Sequence, residues 1–417
     1  MQRIGLVLTL AAGLAMSAAV SAPAAEWPQF LGPNRDATSP ESGLMRAWPA
    51  GGPKVLWTVD VGPGYGGAAI RDGLVHIMDR QKGQADVLRV FDLKTGEEAW
   101  TFGYPAPGRI SHAGSRCTPA VTEKHVYIVG PKGHVHCVDR KTHKPVWQKN
   151  ILQDYNVREP KWSVAQSPLV YKDTVVVAPQ ADKVGVAAFD LATGDVRWES
   201  EPVGPMDYAS PMVRTIGGVE QITIVNREGP RAVEPGTGKL LWKYDHRCRI
   251  LVPSMTALPD GRFFVTGGYN AGSAVIRVTK GAGGFEVEEL AKIDKVGAHI
   301  HPGLFHDGHV YALCNTNERR DGLVCFDMQC DIVWQTERSP NLCKGGSILT
   351  ADNLIYIMDG AKGDLHIVQP SADGFKSLDS AKLLSGKEIW GPLALSDGYL
   401  VIRDQQQMKC VDIKPGR

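Results

Sequence analysis

The chain has 417 residues, and its 46 basic and 45 acidic residues leave a formal net charge of +1. No run of either sign is present, so the composition excludes the charged surface with which proteins bind nucleic acid or anionic membranes. The 46 glycines and 27 prolines interrupt short apolar runs. This pattern is typical of an all-β chain.

The first segment, residues 1–25, has the composition of a secretory signal peptide. One basic residue, Arg3, precedes a mostly apolar run over residues 4–20, and an Ala-Pro-Ala at 22–24 suits a signal peptidase. No cysteine stands in the cleavage region, so lipid attachment is not predicted. No later segment is apolar over the length needed to span a bilayer. We therefore expect a periplasmic or secreted protein without a membrane span.

Residues 26–52 are interpreted as an N-terminal extension and residues 53–417 as one repeat domain. The clearest repeat is FDLATGDVRW at Phe189–Trp198, in which an Asp stands eight residues before a Trp with Thr-Gly between them. It recurs at residues 91–100, 138–147, 233–242 and, one residue shorter, 326–334. Each copy predicts a hairpin, because the carboxylate accepts hydrogen bonds from the turn and the glycine adopts positive φ.

Two further apolar runs precede each hairpin, so one unit has four strands. Eight units can be aligned at intervals of 43 to 51 residues. The equivalent starting positions are Ala68, Pro119, Pro168, Pro211, Met255, Gly303, Gly346 and Pro392. This period predicts an all-β, eight-bladed β-propeller of four-stranded antiparallel blades.

The eighth unit ends after an acidic turn at Asp412 and lacks a last strand with a Trp. The sequence PKVLWTV at residues 53–59 has Trp57 in the closing position. We therefore predict that this N-terminal strand completes the last blade and removes the open sheet edge. Units five and seven lack the motif, and we predict longer hairpins there, with Phe285 and Phe375 replacing the Trp contact.

The motif, the four-strand unit and the segment WPQFLGPNRDATSPESGL at residues 27–44 resemble the pyrroloquinoline-quinone-like (PQQ-like) β-propeller repeat family. This family includes BamB-like outer-membrane assembly factors and quinoprotein dehydrogenases. The resemblance implies either a non-catalytic binding or assembly scaffold, or an oxidoreductase that uses PQQ and calcium. The scaffold is favoured, because no catalytic set is recognised and the adjacent cysteine pair of many such dehydrogenases is missing.

In a propeller, the loops entering each first strand share one face with those between the second and third strands. This face differs between units, so function is expected there. Aromatic rings and cations would suit a sugar, a carboxylate or a peptide. The predicted ligand-binding funnel rim comprises Tyr65, Arg116, Trp162, Tyr208, His301, Lys344, Trp390, Arg403 and Asp404. We expect a partner protein or a polymer there, a monomeric chain, and no catalytic residue, metal or cofactor.

Structural roles for the same residues remain open alternatives. Trp162 and Trp390 could plug the channel, and Arg116 could pair with a carboxylate such as Asp404. If the chain were a quinoprotein, one of these tryptophans could stack on the quinone. Asn315 or Asp404 could then donate oxygens to calcium.

The sequence GAHIHPGLFHDGH contains the one histidine cluster. His299 and His301 alternate as on a strand, which would place both on one face and suit a metal or an anionic ligand. Together with Arg116 they permit a third hypothesis, an uncharacterised carbohydrate-active enzyme. A strand-edge role is preferred, because metal sites need a third ligand.

Eight cysteines in an exported chain raise the question of disulfides. Cys137, Cys325 and Cys410 each stand two residues before the acidic turn residue, so they occupy equivalent places in different units. We predict that such cysteines are buried free thiols. Cys314 with Cys325, on neighbouring strands, is the pair that most needs testing.

Overall fold

The computed structural model describes residues 25–415. The strands of these residues form eight separate sheets arranged as the predicted eight-bladed propeller. Two strands, β1 (Thr38–Ser39) and β2 (Lys54–Asp60), precede the first blade. One short helix, α1 (Ile151–Asp154), follows the second blade and is the only helix in the described part of the chain.

The first four blades follow one another along the chain, each with the strands in sequence order. Blade 1 comprises β3 (Ala69–Arg71), β4 (Leu74–Gln81), β5 (Ala85–Asp92) and β6 (Glu98–Pro105). Blade 2 comprises β7 (Ala120–Val121), β8 (His125–Val129), β9 (His134–Asp139) and β10 (Pro145–Asn150). Blade 3 comprises β11 (Leu169–Tyr171), β12 (Thr174–Val177), β13 (Ala187–Asp190) and β14 (Val196–Glu199). Blade 4 comprises β15 (Met212–Ile216), β16 (Val219–Asn226), β17 (Gly229–Val233) and β18 (Leu240–Lys243).

The last four blades repeat the arrangement, and the eighth has only three strands of its own. Blade 5 comprises β19 (Thr256–Ala257), β20 (Arg262–Gly267), β21 (Gly272–Gly281) and β22 (Gly284–Ile293). Blade 6 comprises β23 (Leu304–His306), β24 (His309–Asn315), β25 (Arg320–Phe326) and β26 (Ile332–Gln335). Blade 7 comprises β27 (Ser347–Thr350), β28 (Ile355–Met358), β29 (Asp364–Gln369) and β30 (Lys376–Lys382). Blade 8 comprises β31 (Ala394–Ser396), β32 (Tyr399–Arg403) and β33 (Gln407–Asp412).

The predicted closure of the ring is confirmed. Strand β2 pairs antiparallel with β33 as the fourth strand of blade 8, and Trp57 stands opposite Cys410. The indole Nε1 of Trp57 donates to the Leu93 carbonyl of blade 1 at 2.8 Å. The N-terminal strand therefore completes the sheet of the last blade, and its indole links that blade to the first.

The repeated motif links neighbouring blades where it is present. Asp190 Oδ1 accepts hydrogen bonds from the backbone N–H groups of Ala192 and Thr193, both at 2.8 Å, which shapes the turn. Gly194 follows at φ +75°, and a Cβ there would lie 2.7 Å from the ring of Trp147, the motif Trp of the preceding blade. The glycine is therefore needed both for the turn and for the close approach of the neighbouring indole.

The cysteine predictions are confirmed for the thiols and corrected for the candidate pair. All eight cysteines are free, and Cys137, Cys325 and Cys410 are buried opposite the motif Trp of the adjoining strand. Cys314 packs in the core between blades 5 and 6, whereas Cys325 packs between blades 6 and 7. The two thiols thus lie on opposite faces of the blade-6 sheet, because their positions in β24 and β25 point to different sides.

Blades 5 and 7 have the longer hairpins that were predicted, but the predicted Phe replacements are wrong. In blades with the motif, the Trp pairs with the third strand directly beside a shift in strand register. The residue at that position is Ala291 in blade 5 and Asp379 in blade 7. Phe375 instead packs against Trp334 of blade 6 with ring centroids 6.2 Å apart, and Phe285 packs on the core between blades 4 and 5. The hairpins extend past the usual turn, so their phenylalanines lie beyond the Trp position.

The N-terminal segment, residues 27–45, runs through the central channel and contacts the innermost strands of several blades. Trp27 forms a β-bridge with Ile70 in blade 1, and β1 pairs in parallel with β27 in blade 7. Between them, the guanidinium of Arg35 donates to the carbonyls of Pro168 and Pro211 at 3.0 and 2.9 Å. The segment thereby links blades that are far apart in the sequence and fills the channel.

Substitution of Arg35 by Met is expected to destabilise the propeller. Arg35 is buried at 1% exposure, and its removal leaves two buried carbonyls without these donors, at about 1–3 kcal/mol each. Urea unfolding followed by tryptophan fluorescence should show a lower midpoint. Arg46→Met, at an exposed position directly after this segment, is the matched control and should change stability by less than about 0.5 kcal/mol. Equal midpoints for both variants would contradict a role for Arg35 in holding the blades.

Candidate functional site

The loops that enter the first strands meet at the mouth of the central channel and enclose a cavity of about 310 Å³. Phe30 of the N-terminal segment also lines this cavity, so the segment closes it on the channel side. Seven of the nine predicted rim residues line it. They are Tyr65, Arg116, Trp162, Tyr208, His301, Lys344 and Trp390.

An arc of aromatic rings forms one wall of the cavity. Trp390 and Tyr65 have ring centroids 5.7 Å apart, Tyr65 and His112 are 6.2 Å apart, and His112 and Trp162 are 6.1 Å apart. Tyr208 continues the arc at 5.4 Å from Trp162. The interplanar angles run from 34° to 90°. The rings therefore form a tilted cup and not a slot with parallel faces.

A buried lysine stands beside the Trp390 end of this arc. Lys344 is only 7% exposed, its Nζ donates to Asn317 Oδ1 at 2.7 Å, and it lies 4.9 Å from the centroid of the Trp390 ring. Among the described residues it has no ion-pair contact with a carboxylate, and burial lowers the pKa of its ammonium group. The cavity wall thus presents a positive charge that the protein does not neutralise by contact.

Three polar atoms of cavity-lining residues are buried without a well-formed hydrogen bond in residues 25–415. They are Trp390 Nε1, His299 Nδ1 and Ser254 Oγ. Buried polar groups are nearly always paired, so unpaired atoms in the lining of a cavity call for an explanation. A bound ligand or water would supply the missing partners.

Arg116 holds a loop and does not form the ion pair that was considered for it. Its guanidinium donates to the carbonyls of Ser111, His112 and Gly114, and it lies 5.7 Å from the Tyr65 ring centroid. Most of its donors are therefore used within its own loop. Its side chain still forms part of the cavity wall.

Arg403 and Asp404 do not line the cavity. Arg403 donates to the carbonyl of Gly62 at 2.6 Å, and burial lowers its pKa to about 10, so it remains charged at neutral pH. Asp404 Oδ1 accepts from the N–H groups of Gln406 and Gln407, both at 2.8 Å, and Oδ2 accepts from Gly386 N. Both residues therefore support the loops beneath the rim.

His299 and His301 both face the cavity, but the prediction that they alternate on a strand is wrong. They lie in a bend, and β23 begins only at Leu304. His301 Nε2 is 2.9 Å from the Trp390 carbonyl. Burial lowers the pKa of His299 to about 3 and that of His301 to about 4, so both are neutral at pH 7.

A cluster with the composition of a metal site lies elsewhere. In the described part of the chain, Asp359, Asp364 and His366 of blade 7 are the one group of three such side chains whose ligand atoms lie within 4.8 Å of one another. Asp359 Oδ1 already accepts from the N–H groups of Ala361 and Lys362. This carboxylate therefore shapes a turn, and the cluster does not adjoin the cavity.

Comparison with known proteins matches residues 83–247 to the family of the outer membrane protein assembly factor BamB. A BamB of Yersinia pestis is 25% identical over 306 residues, covering 70% of this chain and 72% of that protein. The resemblance to the PQQ-like propeller family is confirmed. The quinone alcohol dehydrogenase subunit of Gluconacetobacter polyoxogenes is also 25% identical, over 179 residues, covering 38% of this chain. The chain spans only 23% of that subunit.

The solved structures similar to this chain include both a BamB and a dehydrogenase. BamB from Moraxella catarrhalis has a TM-score of 0.59 at 14% identity, covering 87% of this chain and 98% of that one. A europium-containing methanol dehydrogenase has a TM-score of 0.61 at 16% identity, covering 84% of each chain. At these identities the likeness shows the fold alone. Within residues 25–415, no helix has the length and apolar character to cross a membrane.

The residues of the cavity do not fit a calcium ion beside a quinone. Calcium takes six to eight oxygen ligands, mainly carboxylates and carbonyls. The lining has one carboxylate, Glu388, which accepts a hydrogen bond from the Tyr65 hydroxyl, and one side-chain amide, Asn317, which binds Lys344. The lysine would also repel the ion. Asn315, considered as a ligand, donates to the carbonyls of Asn341 and Cys343 and does not line the cavity.

Several lining residues were not predicted from the sequence. Glu388, His112 and Phe30 all contribute to the cavity. Glu388 and His112 lie in the same entry loops as predicted residues, so taking every polar or aromatic residue of each loop would have found them. Phe30 could not be found in this way, because it lies in no entry loop and reaches the cavity from the channel.

Proposed function

We propose that this chain is an exported, non-catalytic, BamB-like binding or assembly propeller whose cavity holds one ring-sized group of a partner. The supporting observation is that seven of the eight entry loops each contribute a predicted rim side chain to one cavity. Propeller geometry brings the entry loops together, and here seven of them each place an aromatic or charged side chain at the shared cavity. The fifth entry loop adds Ile250, Val252 and Ser254.

The size of the cavity determines how a partner would bind. A volume of about 310 Å³ is at the lower end of the roughly 300–1,000 Å³ that ligand pockets occupy. One side chain or one sugar unit would therefore enter, while the rest of a partner protein or polymer would contact the surrounding loops. The chain would act as a monomer, because the funnel face is complete within one ring.

The second candidate is a quinoprotein oxidoreductase, which the similarity to dehydrogenases favours. It would require PQQ and calcium at the cavity, and the donor set described above is unfavourable for that ion. Dye reduction by the purified protein with added PQQ, calcium and a range of alcohols would decide this point. Quinone-dependent turnover above the protein-free rate would contradict the non-catalytic function.

The binding function is tested by capture from an extract of exported proteins and polymers. The rim variant carries Trp162→Ala, Arg116→Ala and Trp390→Ala. The matched control carries Lys94→Ala, Lys141→Ala and Arg197→Ala on the hairpin turns and strands of the opposite face. We expect the wild type and the control to retain the same partner and the rim variant to retain at least about tenfold less, as for the loss of central hot spots. Equal recovery by a folded rim variant would place the binding surface elsewhere.

A further inference from the structure

We propose that the group held in the cavity is an acidic sugar, a hexuronate unit of a polymer. Its carboxylate would lie near Lys344 and its ring would rest on the aromatic arc. This inference rests on the proposed function and names the ligand class of the same cavity. Three features of the cavity carry it: the charge, the shape of the aromatic wall and the mixture of donors and acceptors.

The charge favours an anion, because the carboxylates of Glu318 and Glu388 act on Lys344 only from a distance and make no ion-pair contact with it. An ammonium group taken out of water without a counter-ion costs several kcal/mol, and carboxylate partners normally offset that cost. Lys344 is buried beside the Trp390 ring and, among the described residues, bonds only the neutral Asn317. Arg116 is less available, since it binds three carbonyls of its own loop. A ligand carboxylate at Lys344 would supply the missing charge.

The wall shape suits a puckered ring that touches several aromatic rings at once. A flat aromatic acid pairs with each ring in an offset-stacked or edge-to-face arrangement, through one face or one edge at a time. Here Tyr65 and Trp390 are tilted by 34°, and Trp162 and Tyr208 by 51°. A pyranose chair projects C–H bonds in several directions, and these weakly positive edges suit the negative faces of tilted rings.

The polar groups of the cavity suit hydroxyls. Trp390 Nε1 can only donate, the free oxygen of Glu388 can accept, and Ser254 Oγ can do both. A sugar hydroxyl donates and accepts at once, so it can satisfy a mixed set of this kind. An isolated carboxylate such as acetate would satisfy Lys344 but would leave the aromatic wall and the acceptors without partners.

The test uses isothermal titration of the full-length mature protein with a matched pair of ligands. Methyl β-D-glucuronide and methyl β-D-glucoside differ only in the group at C6. We expect the glucuronide to bind at least about tenfold more tightly. Lys344→Met should remove this preference, whereas Lys344→Arg should keep most of it, because the charge is retained. Trp162→Ala should weaken both ligands.

Several results would overturn the proposal. These are equal affinity for the two glycosides, a preference that persists in Lys344→Met, or benzoate binding as tightly as the glucuronide. If Lys344→Met does not fold, the ratio measured for the wild type decides alone. Loss of partner capture in the rim variant, together with no glucuronide binding by the wild type, would reject the acidic sugar and leave the binding function standing.

Discussion

Replacing Trp57 with Ala is expected to lower the free energy of unfolding by about 3–5 kcal/mol, as for other large buried aromatic residues. Trp57 is 8% exposed, and its ring packs against the turn glycine Gly96 of blade 1. Its Nε1 also donates to Leu93 O across the same junction. The substitution therefore removes packing and a hydrogen bond where the ring closes. Urea unfolding followed by circular dichroism measures the change.

Two further variants separate the effect of weakening ring closure from the effect of removing any motif indole. Trp57→Phe keeps much of the packing and should lose roughly half as much stability as the alanine variant. Trp100→Ala removes a motif Trp from blade 1 that is only half-buried and stacks on exposed His143 at 4.5 Å. Trp100→Ala should lower the free energy of unfolding by less than Trp57→Ala does. A Trp100 variant that is the less stable of the two would argue against closure as the critical junction.

Acid is expected to destabilise the propeller well before its carboxylates are protonated. His76 is fully buried, and neither ring nitrogen has a hydrogen-bond partner in the described residues. Burial lowers its pKa from 6.5 to about 3. The unfolded chain therefore binds a proton near pH 6.5 that the folded chain does not bind. Stability present above pH 6.5 is lost as the pH falls from 6.5 towards 3.

The size of this effect is about 2 kcal/mol at pH 5 for one such histidine. Burial also lowers the pKa values of His136, His246, His299 and His301 to about 4, 4, 3 and 4. Urea unfolding of the wild type at pH 7 and pH 5 should therefore show a large difference in midpoint. His76→Phe should reduce that difference, because phenylalanine fills the space and does not titrate.

Measuring both proteins at two pH values separates the effect of protonation from the effect of packing. The effect of His76→Phe at pH 7 reports the change in packing beside Trp100, whose ring lies 6.2 Å from that of His76. The further change between pH 7 and pH 5 reports protonation. If the wild type and the variant lose the same stability between the two pH values, His76 does not contribute to the acid sensitivity.

The fold could be predicted because each repeat encodes contacts with its immediate neighbour. Asp190, Thr193 and Gly194 shape a turn locally, and Trp147 of the preceding blade needs that turn to pack. The motif thus carries both the hairpin and the blade junction. The predicted replacements Phe285 and Phe375 failed because longer hairpins moved those residues away from the junction.

The rim was largely predictable because propeller geometry brings the entry loops together whatever their sequences. One bulky or charged residue taken from each of seven entry loops was enough to find seven cavity residues. Arg403 and Asp404 were misplaced for a physical reason: they lie at the end of β32, where the side chains turn inward to bind Gly62 and Gly386. The direction of a side chain at a strand end depends on its neighbours.

The sequence by itself determined the number of blades, the closing strand and the face on which the entry loops meet, because these follow from a repeated pattern and nearest-neighbour contacts. Only the tertiary structure decided how the cavity is closed and charged. Arg35 binds carbonyls 133 and 176 residues away, and Lys344 is buried beside Trp390 from another blade. Such contacts join segments with no shared pattern, so they are determined by packing across the ring.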